Sequence, residues 1–287
     1  MISIAGFIFL LVCVFGGYIL AGGKMEIILL ALPFEFAIIG GAALGALLMA
    51  NSMSEVKHIF GSIGKILKGG KYKRQDYMEL LSLLFWLVRL AQTKGPMAIE
   101  PHIEKPEESA AFQKFPSILK DHHTVAIICD YLRMVGMNAD DPHQIEDVMA
   151  RELKKMKDEE LHSAHALQSV ADALPALGIV AAVMGVIKTM ASIDQPPAIL
   201  GKMIGSALVG TFLGVLLAYG LVGPFAARLK AVIEEEAKYF EVIRAVLVAH
   251  LHGNAPQVAV ETGRKMVPSD LMPTFQEVEE SLQDLKM

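Results

Sequence analysis

Two apolar stretches decide the fold: residues 169–190 read SVADALPALGIVAAVMGVIKTM, and residues 203–227 read MIGSALVGTFLGVLLAYGLVGPFAA. The first carries charge only towards its ends, at Asp172 and Lys188, and the second carries none. A helix of about 20 apolar residues is long enough to span a bilayer. Because the connection between the stretches is short, they predict a hairpin of two antiparallel membrane helices.

Two further apolar stretches precede this hairpin, at residues 2–20 and 27–50, and the only acid inside them is Glu35, which we expect near the periplasmic end. A cleaved signal peptide would begin with basic residues, but the first basic residue here is Lys24. Hydrophobic residues make up 53% of the chain and charged residues 20%, which is unusual for a soluble protein. We therefore predict an all-α, polytopic membrane protein with four transmembrane helices and a helical cytoplasmic domain.

The distribution of basic residues predicts the orientation. Of the 26 Lys and Arg residues, 16 fall within residues 51–168 and 7 follow residue 227, which leaves only Lys24, Lys188 and Lys202 near the short turns. Cytoplasmic segments carry the excess of positive charge. We therefore expect both termini and both large charged regions to lie in the cytoplasm. The net charge of −5 argues against a nucleic-acid partner.

The predicted segments follow from this orientation. They are residues 1–50 (transmembrane helices 1 and 2), 51–168 (cytoplasmic helical domain), 169–227 (the pore hairpin of transmembrane helices 3 and 4) and 228–287 (C-terminal cytoplasmic helix and tail). Within the cytoplasmic parts we predict helices over residues 76–92, 118–135, 142–161 and 227–251. An amphipathic stretch over residues 54–68 either lies on the inner leaflet or packs as a first cytoplasmic helix. The tail after Pro268 is expected to be mobile.

Two prolines interrupt the apolar hairpin. Pro175 and Pro224 each remove one backbone hydrogen bond and favour a bend. Counting outwards from the turn places Pro175 near residue 218, towards the cytoplasmic side, and places Ala182 opposite Thr211 near the middle of the membrane. The prolines could mark a hinge or a simple kink, and the sequence leaves both interpretations open.

No acid occupies the middle of the hairpin helices. Ion movement across a membrane ordinarily uses an intramembrane carboxylate, a polar lining or both. If protons cross here, the carboxylate that carries them at mid-membrane depth must come from another protein. The missing acid therefore predicts a partner.

The chain resembles the MotA family of flagellar motor stator subunits, within the MotA/TolQ/ExbB proton-channel superfamily. The strings Leu174–Gly185 and Val209–Gly220 are similar to the third and fourth spans of that family. Three further blocks match it in order: Phe15–Tyr18, Glu100 with Glu104–Pro106, and Ala259–Lys265. The resemblance extends over essentially the whole chain.

This resemblance implies a homopentameric ring around a dimer of MotB, a single-span, peptidoglycan-anchored partner whose aspartate carries the ion. It also implies that the ring rotates and pushes the rotor switch protein FliG. The family's two membrane prolines fall on Pro175 and Pro224, its second-span glutamate on Glu35 and its pore-facing threonine on Thr211. Sodium-driven relatives have threonine where this chain has Ala182, so protons are the expected ion and no cofactor is expected.

The rotor-contacting residues of the family also have counterparts. The key glutamate falls on Glu100, and Glu104 lies in the same block. The key arginine position holds Gln92, which is a departure from the family pattern. Arg89 or Lys94 is expected to supply the positive charge instead.

Three other functions fit the sequence less well. ExbB/TolQ-type energisers of outer-membrane transport share the last two spans but have one span, rather than two, before the main cytoplasmic loop. A metal site at Glu159, His162 and His165 is disfavoured because the segment reads as a solvated helix face beside lysines. No phosphate loop or nucleophile motif indicates an enzyme, and a passive scaffold would make the two hairpin prolines replaceable.

Overall fold

The computed structural model describes residues 2–137, 141–283 and 285. All regular secondary structure among them is helical, which confirms the predicted fold class. The α-helices are α1 (Ile2–Leu20), α2 (Met25–Ala50), α3 (Met53–Lys68), α4 (Arg74–Lys94), α5 (Glu100–Glu104), α6 (Ala110–Gln113), α7 (Pro116–Leu119), α8 (His122–Gly136), α9 (Pro142–Met190), α10 (Pro197–Leu217), α11 (Gly223–Leu251), α12 (Pro256–Arg264) and α13 (Phe275–Gln283). Two 3₁₀ turns, Pro96–Ala98 and Pro106–Glu108, and a π-helical turn, Ala218–Val222, complete the list.

The chain forms two compact units. The first comprises Met1–Gly69 and Glu159–Val232, and the second comprises Gly70–Asp158 and Ile233–Met287. The predicted segment boundaries concern the membrane plane, which these units do not define, so the boundaries stay predictions. The described residues exclude Met1 of the first predicted segment, residues 138–140 of the second, and residues 284 and 286–287 of the last.

The first unit contains the apolar helices. Four helices of the described chain are long and apolar enough to span a membrane: α1, α2, α9 and the helix that starts at Pro197 and continues through the π-helical turn to Leu251. Helix α2 packs along α10, and Ile39, Ala43 and Leu213 are buried where these helices meet α9. Many outward-facing apolar side chains remain exposed in the single chain, as expected for surfaces that meet lipid or other subunits.

The amphipathic stretch packs on its neighbours. Helix α3 begins with a capping box between Ser52 and Glu55, an arrangement that satisfies two backbone donors at a helix start. Ile59 is buried beside Leu47 and Ala166. The apolar face of α3 therefore belongs mainly to the interior of this unit.

Helix α9 is longer than predicted. We expected a helix ending near residue 161 and a separate membrane helix from residue 169, but one helix of 49 residues runs from Pro142 to Met190. No Gly or Pro lies between residues 142 and 175 to end the helix. The predicted break rested on a change in polarity, and polarity alone does not interrupt backbone hydrogen bonding.

Helix α4 forms the centre of the second unit. Its residues Tyr77, Leu80 and Leu84 are fully enclosed among side chains from α8, α11 and α12. The ring of Tyr72 stacks on that of Tyr239 with centroids 3.6 Å apart. The predicted helix over residues 118–135 is in fact two, α7 and α8, with a break at residues 120–121.

Residues 275–283 of the C-terminal tail form helix α13, which contacts α4, and the expectation of mobility stays a prediction. Thr274 caps α13, because its hydroxyl accepts from the backbone N–H of Glu277 and the Glu277 carboxylate accepts from the backbone N–H of Thr274. The same carboxylate pairs with Arg74 at the start of α4, and Ser281 hydrogen-bonds Ser82. Helix α13 is polar because it contacts α4 through one face and exposes the others to solvent.

Candidate functional site

Glycines bring the two hairpin helices, α9 and α10, into backbone contact. A Cβ atom placed on Gly178 would lie 2.7 Å from the carbonyl oxygen of Gly210, and one placed on Gly214 would lie 2.6 Å from that of Leu174. Ordinary van der Waals contact needs more than 3.4 Å. Small residues permit this close approach of helices in membranes.

Pro224 follows a π-helical turn that the sequence did not predict. Ala218–Val222 forms the turn, and the N–H of Gly223 donates to the carbonyl of Ala218, five residues back. Proline has no N–H and its ring collides with the carbonyl four residues earlier, and a wider turn relieves that collision. The adjacent Gly-Pro pair was the signal that could have indicated this turn.

Pro175 lies inside α9, which continues through it. Proline at this position leaves the carbonyl of Ala171 without its usual helical donor. A Cβ atom on Gly223 would lie 3.9 Å from the Cβ of Ala171, so the two proline-modified stretches adjoin in the hairpin. This juxtaposition is compatible with either a hinge or a kink.

Glu35 points at the hairpin. Its side chain is 7% exposed, and its Oε2 atom has no hydrogen-bond partner among the described residues. A Cβ atom on Gly210 would lie 2.6 Å from that oxygen. Glu35 therefore sits beside Gly210, the residue before Thr211, and its expected place near the periplasmic end of the membrane stays a prediction.

Thr211 and Ala182 lie on the uncovered side of the hairpin. On α10, Thr211 falls at helical spacing between exposed Leu208 and Val215. On α9, Ala182 falls between exposed Ile179 and Val186. Thr211 and Ala182 themselves are partly exposed, and the backbone nitrogen of Ala182 would lie 3.1 Å from a Cβ on Gly210. The expected pairing of Ala182 with Thr211 thus fits the helix register.

This uncovered face is apolar and has very little polar chemistry. Apart from the hydroxyls of Thr211 and Tyr219, its side chains are aliphatic. Of the two acids of residues 169–227, Asp172 lies within α9, before Pro175, and Asp194 lies in the turn between α9 and α10. A face of this kind can line a narrow conduit, but it offers no titratable group at its centre.

The predicted rotor-facing residues lie in the second unit. Arg89 is the exposed residue of the otherwise buried stretch 80–91 of α4, with its guanidinium carbon 5.8 Å from the ring centroid of Phe85. Gln92, Lys94 and Glu100 are also exposed. Arg89 and Gln92 are three residues apart and share a helix face, whereas Lys94 lies on another side of α4.

Glu104 differs from Glu100 in having an intramolecular partner. Its Oε1 accepts from Nε of Arg133 at 2.7 Å, and the same guanidinium donates to the carbonyl of Ile103 at 3.1 Å and to Asp130 at 2.7 Å. Glu104 therefore helps to fasten α5 to α8. Among the described residues, Glu100 has no such ion pair.

Glu159, His162 and His165, the residues of the disfavoured metal site, lie in α9. The Nε2 atom of His162 lies 3.3 Å from a side-chain oxygen of Asn51 and 3.3 Å from one of Glu55. Among the described residues, neither His162 nor His165 belongs to a group of three or more potential metal ligands.

Comparison with known proteins identifies relatives over the whole chain. Residues 4–95 match the family model Motility protein A N-terminal, and residues 119–242 match the MotA/TolQ/ExbB proton channel family. Motility protein A of Salmonella typhimurium is 39% identical over 286 residues, covering 100% of this chain and 96% of that protein. Chemotaxis protein LafT of Vibrio parahaemolyticus is 37% identical over 277 residues, 96% of each chain.

Solved structures have the same fold. The chain is similar to a chain of C. jejuni MotAB, with a TM-score of 0.75 at 19% identity, covering 93% of this chain and 96% of that one. It is also similar to a chain of the flagellar MotAB stator complex of Bacillus subtilis, with a TM-score of 0.71 at 26% identity, covering 90% and 92%.

Proposed function

This chain belongs to the motility protein A branch of the MotA/TolQ/ExbB proton channel family, as a stator subunit of the bacterial flagellar motor in the inner membrane, and from that membership we propose how it works. Several copies line a proton path whose carrier carboxylate belongs to MotB. Ion passage turns these copies against the rotor protein FliG. The observation that carries this proposal is the uncovered hairpin face, which presents Thr211 and Ala182 but no acid.

A partner at this face explains the arrangement. Two solved structures with this fold are MotAB complexes, and MotB would cover the apolar side chains and bring the missing titratable group. A homopentamer, suggested by the family resemblance, would enclose the partner with five such faces. The exposed apolar side chains of α1 and α2 leave ample surface for lipid and for neighbouring copies.

Protons are the proposed ion. Sodium is bound by oxygen ligands, and an alanine methyl at position 182 offers none, in contrast to threonine. The hydroxyl of Thr211 alone supplies too few oxygen ligands for a hard cation such as sodium. The buried carboxyl of Glu35 behind Gly210 adds a polar group next to the path without lining it.

The proposed orientation places both termini in the cytoplasm. The cluster of basic residues that follows α2 supports it, with Lys57, Lys65, Lys71, Lys73 and Arg74 close to the end of a predicted span. The second unit is then cytoplasmic. We assign Arg89 as the replacement for the family arginine, because it shares a helix face with Gln92, and Glu100 as the acidic rotor contact.

The test is swimming by cells whose own copy of this gene is deleted and replaced by variants. Parent protein should restore motility that stops on collapse of the proton gradient and is indifferent to external sodium. Pro175→Ala and Pro224→Ala should abolish motility while the protein still co-purifies with MotB. Sodium-dependent swimming would overturn the choice of ion, and normal swimming by both proline variants would remove their role.

A further inference from the structure

A group of metal-ligating side chains lies in the second unit, apart from the residues discussed above. His143 is the second residue of α9, Glu146 lies one turn later, and His252 directly follows α11. One potential ligand atom from each residue lies within 4.8 Å of the others. The group thus joins the start of one long helix to the end of another within the same unit.

We propose that His143, Glu146 and His252 form a binding site for a divalent transition-metal ion of the zinc class. Two imidazoles and one carboxylate are a ligand set that zinc accepts, with a remaining position open to water. Imidazole ligands favour such ions over magnesium or calcium, which prefer oxygen.

The distances suit one ion. Metal–ligand bonds of about 2.0–2.2 Å in a tetrahedron place neighbouring ligand atoms about 3.3–3.6 Å apart. Glu146 Oε2 lies 3.5 Å from His252 Nε2 and 4.0 Å from His143 Nδ1. The side chain of His143 is 78% exposed, so a small rotation of this ring is free to shorten the longer distance.

Both histidines approach the same carboxylate oxygen. Their ring centroids lie 5.1 Å apart. If each were a separate ion pair with Glu146, two positive imidazolium rings would face each other across one oxygen. A single cation shared by two neutral rings and the carboxylate removes that repulsion.

Arg244 orients the carboxylate without cancelling the site's charge. Its Nη2 lies 3.5 Å from Glu146 Oε1, the oxygen that faces away from the histidines. Its Nη1 donates to Glu241 at 3.0 Å. The carboxylates of Glu146 and Glu241 and the guanidinium of Arg244 together carry one net negative charge, which favours a cation. Hydrogen-bonded neighbours such as Arg244 typically hold a ligating carboxylate in place.

The test measures zinc binding by the full chain, purified in detergent without a histidine tag and stripped of metal with a chelator. Isothermal titration with Zn²⁺ should show one ion per chain. His143→Ala and Glu146→Gln should each weaken binding by about 10-fold or more, while His122→Ala, which removes an exposed histidine of the same unit outside the group, should not. Circular dichroism confirms that each variant is folded.

Cobalt gives a second readout, because Co²⁺ held by four ligands absorbs visible light far more strongly than hydrated Co²⁺. The parent chain should show this absorption and His143→Ala should lose it. Absence of zinc binding by the parent, or equal affinities for parent and His143→Ala, would overturn the proposal. Equal loss in His122→Ala would also overturn it, since binding would then be unspecific.

Discussion

Replacing Gly178 by alanine should separate the two hairpin helices and stop the motor. The new Cβ would lie 2.7 Å from the Gly210 carbonyl oxygen, 3.1 Å from the Gly214 Cα and 3.3 Å from the Thr211 Cα. All three atoms are backbone, so no side-chain rotation relieves the overlap, and the helices must move apart by several tenths of an ångström. Overpacking of this kind costs about 1–3 kcal/mol.

The assay is unfolding of the purified chain by a denaturing detergent, followed by circular dichroism, together with swimming. Gly178→Ala should lower the free energy of unfolding by about 1–3 kcal/mol and abolish motility, because Thr211 moves with its helix. Gly201→Ala and Gly45→Ala are matched controls in the same unit, where a Cβ meets nothing within 4 Å. Full stability and normal swimming in Gly178→Ala would refute the close approach of the helices.

Three further predictions concern the rest of the chain. Arg74 and the cap of α13 lower the pKa of Glu277 to about 2 from an ordinary 4.5, so this carboxylate stabilises the tail fully above pH 4.5 and progressively less as the pH falls to 2. The protection of the α13 amides, measured relative to their intrinsic exchange rates at each pH, should fall over that window and lose this dependence in Glu277→Gln. Gly223→Ala would place a Cβ 2.8 Å from the Ala218 carbonyl oxygen. Swimming assays should show reduced motility, and membrane fractionation should show that the variant still inserts into the membrane. Unchanged swimming would count against the π-helical turn. Glu100→Lys should lower motor torque, measured by bead rotation, at unchanged protein abundance, whereas a loss of abundance would indicate a structural role.

The membrane part was largely predictable because long apolar stretches leave few alternatives. Residues 169–190 have no other stable environment than a bilayer or a large core. The π-helical turn was not predictable from the spacing of residues, because it depends on how the backbone around Pro224 accommodates a residue without an N–H.

The second unit was harder to predict. Its core joins α4 to helices from the opposite end of the chain, and such distant pairings leave little trace in local periodicity. Thr274 three residues before Glu277 is a capping pattern, and it was the available signal that the tail is helical. The position of Glu35 against Gly210 required the packing of α2 on α10, which the sequence of either helix alone does not specify.

The most direct measurement is proton flux into liposomes that contain the purified chain alone or together with MotB. A chain that lines a path but has no titratable group at its centre should give no flux alone above that of empty liposomes. With MotB present, flux should appear and should vanish when the membrane aspartate of MotB is replaced by asparagine. Proton flux through the chain alone would contradict the claim that the partner supplies the carrier.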